Sequence, residues 1–201
     1  FRNRDYLKES ILIIPESKMC AIDDMGWMEG GDRRSFGGPS RLITKRDPTI
    51  EDYQMVNEIA KTVGTRLLGL FVLSDFDQEK VCAKTEYNFP KQKSNITEYG
   101  INWAPNYDKT KCRQVMEYLY EVSANIEFGL HGVRHEHFFQ DGYVNAEWAN
   151  GQTGYSWGRE NAEIHCKCFN EILRQYFPAD KCSFPQCFVP PSHAFSLDSN
   201  D

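Results

Sequence analysis

The chain has 201 residues, with 23 Lys+Arg against 29 Asp+Glu for a net charge of −6, and 40% of its residues are apolar. That is ordinary globular composition, enough for one domain hiding on the order of 70% of its unfolded surface. It excludes a low-complexity chain and an apolar run near the ~18 residues of a membrane span; a pI of about 5.4 also argues against nucleic acid as a partner.

Ile11–Ile14 is a short apolar run ended by Pro15 and reads as an edge strand. Met19–Ile22 is a second run that stops at Asp23-Asp24. Residues 26–47, rich in Gly, Arg, Asp and Ser, read as a long loop. A helix begins near Asp47-Pro48-Thr49, with Glu51 and Asp52 in its first turn and Gly64 as its stop. Its expected inner stripe is Met55, Ile59 and Val63, widened by Val56 and Ala60. Leu67–Leu73 is near-continuously apolar, as in a strand covered on both faces.

Residues 74–107 form a polar insertion bearing aromatic residues. A second helix follows from Asp108, with Val115, Leu119 and Val122 at helical spacing. Ile126–Leu130 is the next strand, running into His131-Gly132-Val133-Arg134-His135-Glu136-His137. A third helix spans Gly158 to Tyr176, with Ala162, Cys166, Phe169, Ile172, Leu173 and Tyr176 as its inner stripe. Gln186–Val189 is a last short strand before Pro190-Pro191-Ser192-His193. Strands alternating with helices predict an α/β fold with a parallel sheet, either open and doubly wound or an incomplete barrel. In both, ligands bind beyond the carboxyl ends of the strands.

That rule makes three strand ends the centre of interest: Asp23-Asp24, His131-x-x-x-His135, and Pro190-Pro191-Ser192-His193. Parallel strands would bring them to one rim. A carboxylate with two imidazoles is a common ligand set for a divalent transition metal that keeps positions open for water and substrate. A second carboxylate beside it is placed to take a proton from that water. A competing zinc site would join His165, Cys166, Cys168, Cys182 and Cys187, though it lacks paired Cys-x-x-Cys spacing. The seven cysteines are odd in number and irregularly spaced, which suits reduced thiols, with one Cys182–Cys187 bridge as an alternative.

These motifs resemble those of the polysaccharide deacetylase (NodB-homology) superfamily, in a divergent branch with a His-Gly-x-x-His motif. The likeness covers roughly residues 19 to 193. It implies a distorted or incomplete (β/α) barrel as a single domain over residues 1–201, either truncated at the C-terminus or a shortened variant of that barrel. It implies a metal-dependent hydrolase that removes N-acetyl groups from a polysaccharide or oligosaccharide precursor. By resemblance Asp23 is the general base, and Asp24, His131 and His135 hold one divalent ion, most simply zinc, with Co, Ni, Mn or Fe as alternatives. Gly132 stands where the family has Ser or Thr. Val189 stands where its third motif has Arg, so Arg134 or Arg33 is the substitute contact. The late Leu-x-His has no match, which leaves His193 as the candidate general acid, or a third imidazole on the metal. Arg134, Pro190 and Trp27 are candidate substrate contacts, and Trp103, Trp148 and Trp157 could stack on sugars or serve as core.

The departures from the family pattern also favour a rival, a degenerate domain that binds glycan without turnover. A cupin reading of His135-x-His137 would need an all-β chain, against the helical stripes. The expected compartment is the cytoplasm, with secretion or the periplasm as alternatives.

Overall fold

The computed structural model describes residues 19–26, 48–81, 108–138, 144–178 and 185–195. Ile11–Ile14, Trp27, Arg33, Cys82, Trp103 and Cys182 lie outside them.

The middle of the molecule is β2 (Leu67–Val72), buried at all six positions. It is flanked by β1 (Ala21–Met25) and β3 (Ile126–Gly132) in a sheet ordered β1-β2-β3. Both pairings are parallel. Phe71 of β2 stacks on Phe128 of β3 with ring centroids 4.3 Å apart. The expected fourth strand is a single parallel bridge: Phe188 pairs with Leu130, tied by Leu130 N–H to the Cys187 carbonyl (2.8 Å) and Val189 N–H to the Leu130 carbonyl (3.1 Å). The described residues thus form a mixed α/β fold with a small parallel sheet.

Three α-helices accompany the sheet among the described residues: α1 (Ile50–Val63), α2 (Lys109–Glu121) and α3 (Arg159–Arg174). Their ends follow the sequence signals. The Asp52 carboxylate accepts from the Thr49 N–H (2.8 Å) at the start of α1, and Gly64 closes it at φ 68°. The Asp108 carboxylate accepts from the Thr110 N–H (2.9 Å) at the start of α2. Helix α1 packs on α2, and α3 packs on β3. Leu73, Phe76, Met116, Leu119, Ile126, Phe169 and Ile172 are fully enclosed between sheet and helices.

Two stripes differ from expectation. On α1, Met55, Ile59 and Val63 are exposed (62%, 43% and 59%), while Tyr53, Asn57 and Ala60 face inward. Of the expected stripe only Ala60 is buried and Val56 packs on the core; the inner face also carries an amide, the Asn125 side chain donating to the Asn57 Oδ1 (2.9 Å), so hydropathy alone misplaces the centre of the stripe. On α3, Cys168 and His165 are buried and Cys166 is only half-buried. A short antiparallel hairpin that the periodicity did not announce, β4 (Glu136–Phe138) with β5 (Val144–Ala146), follows the histidine loop. The helices rule out the all-β chain a cupin would need. No helix among the described residues is long and apolar enough to cross a membrane.

Candidate metal centre

Each ligand candidate is set by the element that carries it. Strand β1 runs through the acidic doublet rather than stopping before it. The three steps from Ile22 to Met25 face only two steps on β2, from Gly69 to Phe71, so the doublet sits on a bulge. Asp24 there adopts φ 59°. A bulge breaks strand alternation and re-aims a side chain. Asp24, 28% exposed at its side chain, turns toward β3, where His131 Nε2 lies 3.3 Å and His135 Nε2 3.4 Å from its Oδ1.

His131 belongs to β3, and His135 lies beyond it in an irregular turn with φ 72°. Both are buried, with ring centroids 5.4 Å apart. The remaining ring nitrogen of His131 is spoken for: its Nδ1–H donates to the Val189 carbonyl (2.6 Å). A carbonyl can only accept, so the proton sits on Nδ1 and the Nε2 lone pair of the neutral ring faces Asp24. Burial pulls the His131 pKa down, but the Asp24 carboxylate and the Val189 carbonyl outweigh it and leave the group above its ordinary value.

The ligand atoms of Asp24, His131 and His135 lie within 4.8 Å of one another, and among the described residues these three form the one such group. Two imidazoles and a carboxylate, with one ring already oriented through its far nitrogen, fit a divalent transition metal. Among the described residues the thiol site does not assemble: the His165 Nδ1–H is committed to Glu147, and Cys166 and Cys187 are free thiols outside any three-ligand group; Cys182 lies outside the described residues.

The other described sequence candidates lie on segments that carry or adjoin these ligands. Asp23 is exposed on the bulge, and its charge acts on His131. His193 is exposed at φ 54° in a short turn, Pro191–His193, that begins two residues after the carbonyl held by His131. It is not a member of the three-ligand group. Pro190 is half-buried, and Arg134 is buried within the histidine turn. Asp24, His135, Ser192 and His193 all have positive φ, a costly backbone region for side-chain-bearing residues that tends to collect at functional sites.

Sequence reasoning missed Glu147, and placed His165 in a thiol zinc site rather than beside it. Glu147 is fully buried beneath the histidine turn. Its Oε1 accepts from the Val133 N–H (2.8 Å) and the His165 Nδ1–H (2.5 Å). Its Oε2 accepts from the Arg134 N–H (3.0 Å) and the His135 N–H (2.6 Å). Burial raises the Glu147 pKa, yet His165 and the backbone donors overcome that and hold it below the ordinary carboxylate value. The one available signal was Gly132, because a Cβ there would overlap Glu147 Oε2. Trp148 is buried, with its indole N–H on the His131 carbonyl (3.0 Å), and the Trp157 indole N–H bonds the Ala146 carbonyl (2.8 Å). Trp148 is therefore scaffold rather than a sugar platform.

A scan against protein-family models, a search of curated proteins and a search of solved structures return no match to this chain.

Proposed function

We propose that the chain is a metal-dependent amide hydrolase that removes N-acetyl groups from a carbohydrate, in the manner of the polysaccharide deacetylases its motifs resemble. One observation carries the reading: a carboxylate from β1 and two imidazoles from the end of β3 converge within 4.8 Å at the carboxyl rim of a parallel sheet. A divalent ion, most simply zinc, would be held by Asp24, His131 and His135. When bound, it supplies polarisation of an amide carbonyl and acidification of water.

The chain's own groups do the rest. Asp23, on the exposed side of the bulge, takes the water's proton. His193, exposed at the end of the neighbouring turn, returns one to the departing amine. Arg134 and Pro190 border the substrate. The third motif's Arg is replaced by Val189, whose carbonyl holds His131. That replacement favours the second reading, a domain that binds glycan and does not turn it over. Free thiols at Cys20, Cys112, Cys166 and Cys187 agree with action in the cytoplasm, on a precursor before export.

The test is acetate release from an N-acetylated oligosaccharide by zinc-loaded protein. Release is expected, with Asp23→Asn lowering it about 10²–10⁴-fold while zinc remains bound, and Asp24→Asn losing the zinc. Zinc bound without acetate release would favour the glycan-binding reading. Full activity in Asp23→Asn would remove that residue from the role of base.

A further inference from the structure

We infer that Glu147 is a positioning residue for the metal centre: its buried carboxylate, itself fixed by His165, sets the backbone path of residues 133–135 that brings His135 to the point His131 faces. This rests on the metal-centre reading and adds a group outside the ligand set.

The argument begins with an accounting of backbone polar groups. Beyond Gly132 the chain leaves the sheet, so residues 133–135 have no strand to satisfy them. Buried N–H groups must still be paired. Glu147 takes all three, those of Val133, Arg134 and His135, at 2.6–3.0 Å. Three successive N–H groups can converge on one carboxylate only if the chain curls around it, and His135 reaches φ 72° in doing so. The carbonyls are fixed as well: that of His131 by the Trp148 indole, that of Val133 by the Ser74 N–H (2.7 Å), and that of His135 by the Glu147 N–H (3.1 Å). His135 thus inherits its orientation from a frame centred on one side chain, and that frame carries it to the point that His131, held by β3 and the Val189 carbonyl, already faces.

The neighbours of Glu147 are built for it. Gly132 is the residue that admits the carboxylate, since any Cβ there would overlap Oε2. His165, buried on α3, donates to Oε1 and ties the frame to a core helix. A fully buried carboxylate is expensive to desolvate and persists only with charge-assisted hydrogen bonds on every side. A stretch of ordinary core would need none of this.

The experiment compares zinc affinity, by competition with a chromophoric chelator, and the visible absorption of the cobalt-loaded protein. It uses the wild type, Glu147→Gln, Gly132→Ala, His165→Gln and a core control, Leu119→Ala. Glu147→Gln, folded by near-ultraviolet circular dichroism, is expected to bind zinc about 10–100-fold more weakly and to shift the cobalt bands at full loading. Gly132→Ala, which keeps the carboxylate but displaces it, should do the same, while folded Leu119→Ala should change neither. Should Glu147→Gln not fold, Gly132→Ala and His165→Gln decide. Wild-type affinity and an unshifted cobalt spectrum in a folded variant would overturn the inference. So would failure of all three to fold, since Glu147 would then serve the fold as a whole. Absence of zinc binding by the wild type would instead overturn the metal-centre reading.

Discussion

His131 uses its two nitrogens for different purposes. Nδ1–H is held by the Val189 carbonyl, which leaves Nε2 for Asp24 or for a cation. With no metal, the Asp24 carboxylate favours the protonated ring, and the pKa lies above the ordinary 6.5 despite burial. A raised folded-state value means that the proton's stabilising contribution is full below 6.5 and is lost as pH rises through the folded value. A metal must displace that proton. Zinc affinity is therefore expected to weaken as pH falls through the raised value, with proton release on binding. Isothermal titration in buffers of different ionisation heat would measure it; release absent below pH 6.5 would contradict the assignment. At this scale the ligand candidates were legible in the sequence, because Asp24, His131 and His135 stand near the carboxyl ends of two strands. Glu147 was not, because a buried carboxylate under a loop looks like any surface Glu until its partners are known.

Among the elements, α3 joins core and site. Phe169 and Ile172 are fully buried, and His165 reaches Glu147 from the same face. Phe169→Ala is expected to cost about 3–5 kcal/mol, measured by denaturant unfolding of the metal-free protein. A cost under about 1 kcal/mol would mean that the α3 face is not packed as described. The helices themselves were legible from apolar spacing and end signals: α1 starts near Thr49 and stops at Gly64, and α2 starts after Asp108, where Asp52 and Asp108 prove to accept the first N–H groups. Faces were less so. Helix α1 turns Tyr53 and Asn57 inward because their polar atoms find partners there, and Met55, Ile59 and Val63 are left outside. The β4–β5 hairpin escaped notice because its strands are three residues each, too short to show a period.

For the molecule as a whole, the parallel sheet was legible in the all-apolar β2, whose burial on both faces its sequence announces. The bulge at Asp24 was not, since it depends on register against Gly69 and Phe71. The sheet places β2 between the strand that carries the carboxylate and the strand that carries the imidazoles. Asp24 and the two histidines, remote in sequence, can therefore meet only after β2 has taken both neighbours. The entropy of closing that long stretch of chain must be met before any ion finds a complete set of donors. Zinc should then behave as a latch rather than a seed. At about 100 times its dissociation constant it is expected to add about 2.7 kcal/mol, appearing as slower unfolding while the refolding rate stays unchanged. Stopped-flow refolding accelerated by zinc would show the cation gathering its ligands before the sheet exists.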